Sequence, residues 1–169
     1  MSTVSETPAV KATLHLLCGK IASGKSTLAE RLAASPATLI ISEDRWLAAL
    51  YGDQMRSVTD YAACSSKLRS AMQPHLVSLL RAGVSVILDF PANTRANREW
   101  MMGIIQESGA DHHLHYLNLP DEVCKARLRA RNAGGEHDFS ATEEQFDLIT
   151  RYFHPPAADE GFRVTEYNH

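Results

Sequence analysis

Hydrophobic residues occur along this chain in two different patterns, which predict strands and helices in alternation. Short segments rich in apolar and β-branched residues indicate strands at 13–17, 38–41, 84–88, 113–119 and 162–167, of which 84–88 is expected to be buried. The stretches between them place apolar side chains three or four residues apart, which is the spacing of amphipathic helices. The predicted helices are 25–34, 44–51, 60–82, 94–107, 120–132 and 142–153. Such alternation favours an α/β fold in which helices cover both faces of a five-stranded, mostly parallel sheet.

Proline, glycine and polar residues indicate where these elements bend or end. Pro74 lies within the long helix 60–82, which is therefore expected to kink there or to contain a second helix that starts at the proline. The segment 133–138 is rich in glycine and polar residues and predicts a flexible loop. Residues 1–11 are polar, lack the apolar middle of a signal peptide and are expected to fray. Residues 12–169 are expected to form one domain.

Composition and charge narrow the class of protein. The 169 residues are 44% hydrophobic and 22% charged, which is typical of a soluble globular domain. The net charge of −3 argues against a broadly basic surface for nucleic acid, although a local basic patch stays open. No apolar run is long enough to span a bilayer, and no isolated apolar helix face indicates an oligomer. Cys18, Cys64 and Cys124 lack metal-site or redox spacing, which predicts buried free thiols in a reducing cytoplasm.

A glycine-rich segment between the first strand and the first helix carries the clearest chemistry. It fits the phosphate-binding P-loop, G-x-x-x-x-G-K-[ST], and consists of Gly19, Lys20, Ile21, Ala22, Ser23, Gly24, Lys25, Ser26 and Thr27. The glycines allow a tight loop whose N–H groups surround an anion at a helix N-terminus. Lys25 is expected to reach the β- and γ-phosphates of a nucleoside triphosphate, and Ser26 to bind Mg²⁺. The alternative is a β-to-α turn with a chance Lys-Ser pair, which the flanking elements argue against.

Acidic residues follow two predicted strands at the same edge of the sheet as the P-loop. Asp89 ends the third strand and is expected to hold Mg²⁺ directly or through water; the alternative is that it caps the next turn. Asp44 follows the second strand and would face the γ-phosphate from the acceptor side, where a carboxylate can take the proton of an attacking hydroxyl. Asp44 could also be the N-cap of the helical residues 45–51, and neighbouring Glu43 is a competing acid that could point to solvent or exchange roles with Asp44.

Arginines near the end of the fifth predicted helix form a candidate lid. Arg127 and Arg131 are four residues apart, so they share one helix face just before the flexible loop. They could fold over the triphosphate and offset the charge that develops on the transferred phosphoryl group. The lid is expected at about 127–139. Arg129 is expected to face solvent, and the alternative for the whole cluster is a solvated basic surface.

Histidines near the fourth predicted strand suggest a metal site at first sight. His113 and His115 would share one face of that strand, but no third ligand accompanies them at a recognisable spacing. An ordinary strand composition is therefore the favoured interpretation.

Together these motifs resemble those of the P-loop kinase-like phosphotransferases, a group that includes AAA-type ATP-binding proteins, zeta-toxin kinases, chloramphenicol phosphotransferase, gluconate kinase and polynucleotide 5′-kinases. The resemblance extends from Leu14 to Tyr167. It depends on the segments 19–27, 41–47, 86–94, 127–131, 153–156 and 160–162. It implies a three-layer α/β/α P-loop NTPase fold, ATP and Mg²⁺ as cofactors, and transfer of phosphate to a hydroxyl group.

The resemblance also implies roles for individual residues. Asp44 would be the general base, and Arg127 and Arg131 the lid arginines. The acceptor-side residues would be Arg45, Trp46, Asn93 and Arg98. Many relatives carry an arginine where this chain has Leu47, which argues against a polynucleotide or phosphorylated acceptor unless another arginine replaces it.

The expected activity is transfer of the ATP γ-phosphate to a hydroxyl of a small molecule or nucleotide. Trp46 and Tyr51 near Asp44 would suit a small organic acceptor, although Trp46 and Leu47 could serve helix packing instead. The alternative is a nucleotide-dependent regulatory ATPase or switch that binds a protein partner in the same crevice. A fold that only binds nucleotide is a third possibility, and the intact catalytic set argues against it.

Overall fold

A five-stranded sheet forms the centre of the computed structural model, which describes residues 11–134 and 141–169. The strands are β1 (Thr13–Gly19), β2 (Thr38–Ser42), β3 (Ser85–Pro91), β4 (Asp111–Leu117) and β5 (Val164–Tyr167). Their order across the sheet is β2-β3-β1-β4-β5, and every neighbouring pair is parallel. The predicted five-stranded sheet is confirmed, and it is wholly parallel.

Helices cover both faces of this sheet. They are α1 (Lys25–Leu32), α2 (Glu43–Tyr51), α3 (Val58–Arg81), α4 (Arg95–Ser108), α5 (Asp121–Gly134) and α6 (Glu143–Thr150), with a 3₁₀ turn at Ala158–Glu160. Successive side chains of a strand point to opposite faces. Leu14 and Leu16 of β1 accordingly pack in one core cluster with α3 and α4, and Leu17 packs in a second cluster with α1. The structure therefore has the three layers that the sequence predicts.

The start of α2 differs from its predicted start by one residue. Ser42 is the N-cap, because its hydroxyl accepts the Arg45 N–H at 3.4 Å. The helix begins at Glu43, and Asp44 lies within its first turn. The alternative role of Asp44 as the helix cap is therefore wrong, which leaves its carboxylate free of that task.

The long helix α3 continues through Pro74 as a single element. The proline is exposed, whereas one face of the helix is buried on both sides of it. That buried face consists of Leu68, Met72, Leu76 and Leu80. A second helix starting at Pro74 is therefore not formed, because packing of this apolar face outweighs the missing N–H of the proline.

Some predictions concern segments outside the described residues. Residues 1–10 and 135–140 are not described, so the frayed N-terminus, most of the predicted loop and the far end of the lid stay predictions. Within the described part, α5 reaches Gly134, two residues beyond its predicted end at 132. None of the helices described has the length and apolar character needed to cross a membrane.

Three polar segments meet at the carboxyl edge of the sheet. β1 leads directly into the P-loop, β2 into the acids of α2, and β3 carries Asp89 near its end. Ser42 is the register partner of Asp89, so the residues that follow β2 lie beside the end of β3. Parallel strands end at a common edge, where open α/β sheets bind their ligands.

Candidate active site

The P-loop leaves β1 and turns back tightly before α1. The N–H of Gly19 donates to Asn93 Oδ1 at 2.9 Å, which ties the start of the loop to the end of β3. A Cβ on Gly19 would clash with Ser23 Oγ, so this close approach requires glycine. Gly24 has a φ of 101°, in the left-handed region, immediately before α1 begins at Lys25. The backbone path therefore explains both glycines of the motif.

The Lys25 side chain folds back onto the start of the P-loop. Its Nζ donates to the carbonyl oxygens of Gly19 at 2.7 Å and Lys20 at 2.8 Å. Burial lowers the pKa of Lys25 to about 8, an effect that the negative charge of Asp89 opposes and the positive charge of Arg131 reinforces. Carbonyl groups alone compensate a buried ammonium poorly, so an anion in the loop would stabilise its charged form.

Two arginines of α5 approach the same loop. Arg127 Nη1 donates to the Ser23 carbonyl at 3.3 Å, and Arg131 lies near enough to Lys25 to affect its pKa. Ser23 Oγ and Arg131 Nε are buried without a hydrogen-bond partner in the described part of the chain. Unpaired buried groups are costly, and phosphate oxygens are the partners that suit the guanidinium and the loop. These residues therefore fit a bound polyphosphate.

A pair that sequence reasoning missed holds α5 against the P-loop. Lys20 Nζ lies 2.5 Å from Asp121 Oδ1 and also 5.8 Å from the centre of the Phe153 ring. Asp121 stands in the first turn of α5, so the contact sets the direction in which that helix starts. Arg129 pairs with Glu143 at the surface, in agreement with its expected solvent-facing position.

The crevice acids influence one another and Lys25. Partial desolvation raises the pKa of Asp44, although its side chain stays open to solvent, and the charges of Glu43 and Asp89 raise it further. Desolvation also raises the pKa of Asp89, and Lys25 opposes that shift. Lys25, Asp44 and Asp89 therefore lie close enough to act as one electrostatic group, as the sequence predicts from their strand ends.

Glu43 is buried, which contradicts the expectation that it could point to solvent. Only 1% of it is exposed, and it accepts hydrogen bonds from the Tyr61 hydroxyl and, at 3.0 Å, from Ser65 Oγ. Arg69 Nη2 lies 3.7 Å from the same carboxylate. Tyr61, Ser65 and Arg69 are four residues apart, and this polar stripe on α3 is the signal that would have predicted a buried partner.

The two candidate metal ligands differ in exposure. Ser26 lies in the first turn of α1 and is exposed, and Asp89 is half-buried near the end of β3. A hydroxyl and a carboxylate provide the hard oxygen donors that Mg²⁺ prefers, with phosphate oxygens and water completing its coordination. The residues present therefore suit Mg²⁺ bound together with a nucleotide.

The predicted acceptor-side residues Asn93 and Arg98 both make hydrogen bonds within the protein. Asn93 binds the N–H of Gly19 and lines a small cavity beside the P-loop. Arg98 has no exposed surface; its Nε lies 2.8 Å from Glu160 Oε1, and its other nitrogens donate to the carbonyls of Ala92, His154 and Pro155. Arg98 therefore does not face an acceptor, since all of its guanidinium nitrogens bind the protein itself.

The α2 residues after Asp44 divide between surface and core. Arg45 and Trp46 are exposed, and Leu47 is completely buried. Leu47 therefore serves packing, and no arginine at that position could face the crevice without disturbing the core. The acceptor-side roles of Arg45 and Trp46 stay predictions.

The strand histidines pack in a stack. His15 of β1 joins His113 and His115 of β4, with His15 Nδ1 and His115 Nε2 3.0 Å apart and ring centroids of His113 and His115 4.4 Å apart. His115 also contacts the Tyr167 hydroxyl at 2.9 Å. No group of three or more metal-binding side chains suited to an ion occurs in residues 11–134 and 141–169.

The fold and site define this chain as a P-loop α/β protein of the nucleotide-binding class. A model of the family described as "AAA domain" matches residues 14–156. The protein therefore belongs to the AAA domain family. The search of curated proteins found no match.

Solved structures with the same fold include several kinases. A presumed kinase from Chloroflexus aurantiacus is 18% identical, with 94% of this chain and 85% of that chain covered and a TM-score of 0.73. APS kinase CysC of Mycobacterium tuberculosis is 20% identical, with 94% of this chain and 88% of that chain covered and a TM-score of 0.60. Kti12 of Chaetomium thermophilum is 16% identical, with 92% of this chain and 88% of that chain covered and a TM-score of 0.68. The fold expected from the motifs is therefore confirmed.

Proposed function

We propose that this protein is an ATP- and Mg²⁺-dependent kinase that transfers the γ-phosphate to a hydroxyl of a small molecule or nucleotide. The observation that carries the proposal is the position of Asp44, an accessible carboxylate in electrostatic contact with Lys25 and Asp89. Triphosphate binding alone needs no acid on the far side of the crevice. Transfer to an acceptor hydroxyl does need such an acid, because the hydroxyl proton must leave as the new bond to phosphorus forms.

In the proposed reaction, Asp44 accepts the proton of the attacking hydroxyl while the oxygen–phosphorus bond forms and the bond to the ADP oxygen breaks. Lys25, Arg127 and Arg131 offset the negative charge on the transferred group. Bound Mg²⁺, held by Ser26 and Asp89, would neutralise part of the phosphate charge. The raised pKa of Asp44 makes its carboxylate a stronger base than an ordinary aspartate.

Two of the structural relatives lend support to a phosphotransferase. The APS kinase structure contains AMPPNP and APS, and a gluconokinase from Sinorhizobium meliloti has the same fold with 13% identity and a TM-score of 0.57. At this identity the likeness supports the reaction class through the fold, and the acceptor must be inferred from this chain's own residues.

The test is an Asp44→Asn substitution, with transfer from γ-labelled ATP and nucleotide affinity measured separately. We expect transfer to fall about 10²-fold or more, because general-base catalysis contributes that much, while ATP affinity stays unchanged. Asp53→Asn is the matched control, since Asp53 is an exposed acid in the turn after α2. Lys25→Ala supplies the blank. Turnover that persists in Asp44→Asn would refute the assigned role.

A second candidate function is a nucleotide-dependent ATPase that acts through a protein partner. Its support is a group of exposed apolar side chains at the end of α6, where Leu148 and Ile149 are each 51% exposed and Tyr152 is 67% exposed. If this candidate is right, ATP consumption follows an added protein and does not depend on any hydroxyl compound. Asp44→Asn would then leave basal hydrolysis without acceptor unchanged.

A further inference from the structure

A cavity of about 550 Å³ lies between α3 and α4, outside the phosphate site. Its floor includes Pro91, two residues beyond Asp89 at the end of β3. A smaller cavity of about 150 Å³ shares Pro91 and Asn97 with it and is also lined by Lys20 and Ile21 of the P-loop. The large cavity therefore lies at the same edge of the sheet as the P-loop and adjoins it through the small one.

The walls of this cavity are unusually rich in groups that bind hydroxyls. They carry the hydroxyls of one tyrosine and three serines, two side-chain amides and one guanidinium, beside a few apolar surfaces. The lining residues with polar side chains are Tyr61, Ser65, Ser66, Arg69, Ser70, Gln73 and Asn97. Hydroxyls and amides both donate and accept hydrogen bonds, so they complement a ligand whose own groups do the same.

The pairing of Arg69 with Glu43 argues against an anionic ligand in this cavity. Among the residues that the structure describes, Arg69 is the one charged residue that lines it, and its guanidinium already lies 3.7 Å from the buried carboxylate of Glu43. Arg69 also donates to Asn97 Oδ1 at 2.8 Å and lies 5.5 Å from the centre of the Trp100 ring. An anion would have to approach the Glu43 charge and compete for a guanidinium that is already neutralised.

One hydrogen-bond donor of Arg69 has no partner in the group that Arg69 forms with Glu43 and Asn97. Arg69 Nε is buried and has no hydrogen-bond partner in the described structure. A neutral oxygen would satisfy it without disturbing the pair between Arg69 and Glu43. Tyr61 connects this group of residues to the candidate base Asp44. The Tyr61 hydroxyl bonds to Glu43, and the negative charge of Asp44 contributes to raising the pKa of Tyr61.

We propose that this cavity is the acceptor pocket and that it takes an uncharged, polyhydroxylated molecule of about sugar size. The inference rests on the proposed kinase function, because it names the acceptor of that reaction. The volume lies within the range of about 300–1,000 Å³ that small-molecule pockets span. One acceptor hydroxyl then extends past Pro91 toward Asp44 and the γ-phosphate, and the remaining hydroxyls bind the α3 and α4 side chains.

The test fills the cavity without touching the phosphate site. Ser66 lines the cavity and is exposed on α3, so Ser66→Trp would place an indole across its opening. Lys67→Trp is the matched control, because Lys67 is the next residue, is exposed and does not line the cavity. The probes are D-glucose and myo-inositol, with D-gluconate and D-glucose 6-phosphate as charged counterparts. Ligand-observed NMR measures binding, and γ-labelled ATP measures transfer.

We expect an uncharged probe to bind more tightly than its charged counterpart and to receive phosphate. Ser66→Trp should weaken that binding by about tenfold or more, whereas Lys67→Trp and ATP affinity stay at the wild-type level. Three outcomes would overturn the pocket assignment. They are tighter binding of the charged probes, equal effects of Ser66→Trp and Lys67→Trp on binding, and no binding of either uncharged probe at millimolar concentration. Binding that Ser66→Trp abolishes, without any transfer of label in the wild type, would support the pocket and refute the kinase reaction.

Discussion

Arg98 offers the sharpest test of how the structure holds the crevice together. This completely buried arginine of α4 joins the end of β3 to the segment after α6. Its Nε pairs with Glu160 Oε1 at 2.8 Å, and its Nη1 donates to the carbonyls of Ala92 at 2.9 Å and His154 at 2.8 Å. The informative change is Arg98→Met, which keeps an unbranched chain in the core and removes every donor.

The expected loss can be estimated from what the substitution leaves behind. The Glu160 side chain is only 9% exposed, so its carboxylate would stay buried without a counter-charge, beside three carbonyls that lose their donor. Removing one partner of a buried ion pair costs about 3–5 kcal/mol. Burial alone would raise the pKa of Glu160, but the hydrogen bond from Arg98 and the Ala157 N–H hold it below its usual value. Without Arg98 that pKa should rise, so the loss should shrink as acid protonates Glu160.

The assay is equilibrium urea denaturation of wild type, Arg98→Met and Arg95→Met at neutral and acidic pH. Arg95 is the control because it begins the same helix and pairs with Asp159 at the surface, at 3.3 Å. Exposed pairs contribute about 0–1 kcal/mol, so Arg95→Met should unfold close to wild type. A loss below about 1 kcal/mol in Arg98→Met would refute the structural role. A raised acceptor KM with unchanged stability would instead restore the acceptor-side role.

Two further predictions concern titrating groups. Burial, and after it the charges of His113 and His15, lowers the pKa of His115 from 6.5 to about 4. As the pH falls from 6.5 to 4, the unfolded chain therefore takes up a proton at His115 before the folded chain does, and the free energy of unfolding decreases over that range. His115→Gln should remove up to about 3 kcal/mol of that pH dependence in urea titrations, and an unchanged slope would contradict it. Glu43→Gln should move the acid limb of the transfer rate to lower pH, because the Glu43 charge contributes to raising the pKa of Asp44. A limb that stays in place would refute this contribution of Glu43 to the pKa of Asp44.

The sequence predicted the parts of the fold and site that depend on local pattern. The P-loop glycines, the strand ends with Asp89 and the helix face of Arg127 and Arg131 all follow from spacing that a single segment contains. Arg98 was misplaced because three of its four partners stand 56 to 62 residues away, and only the folded chain shows that they enclose it. The burial of Glu43 is the same kind of case, since it depends on where α3 packs. The polar stripe on α3 indicates that a buried partner exists, but local spacing does not say which distant residue that partner is.

Two adjacent acids at the start of α2 illustrate how the fold assigns different tasks to similar side chains. Successive helical residues point about 100° apart, so only one of the pair can face α3. Glu43 takes that direction and is held by Tyr61, Ser65 and Arg69, which fixes a negative charge inside the protein. Asp44 consequently faces the crevice, and the fixed charge beside it favours its protonated form. The buried acid therefore strengthens the basicity of its exposed neighbour, which is what the proposed proton transfer requires.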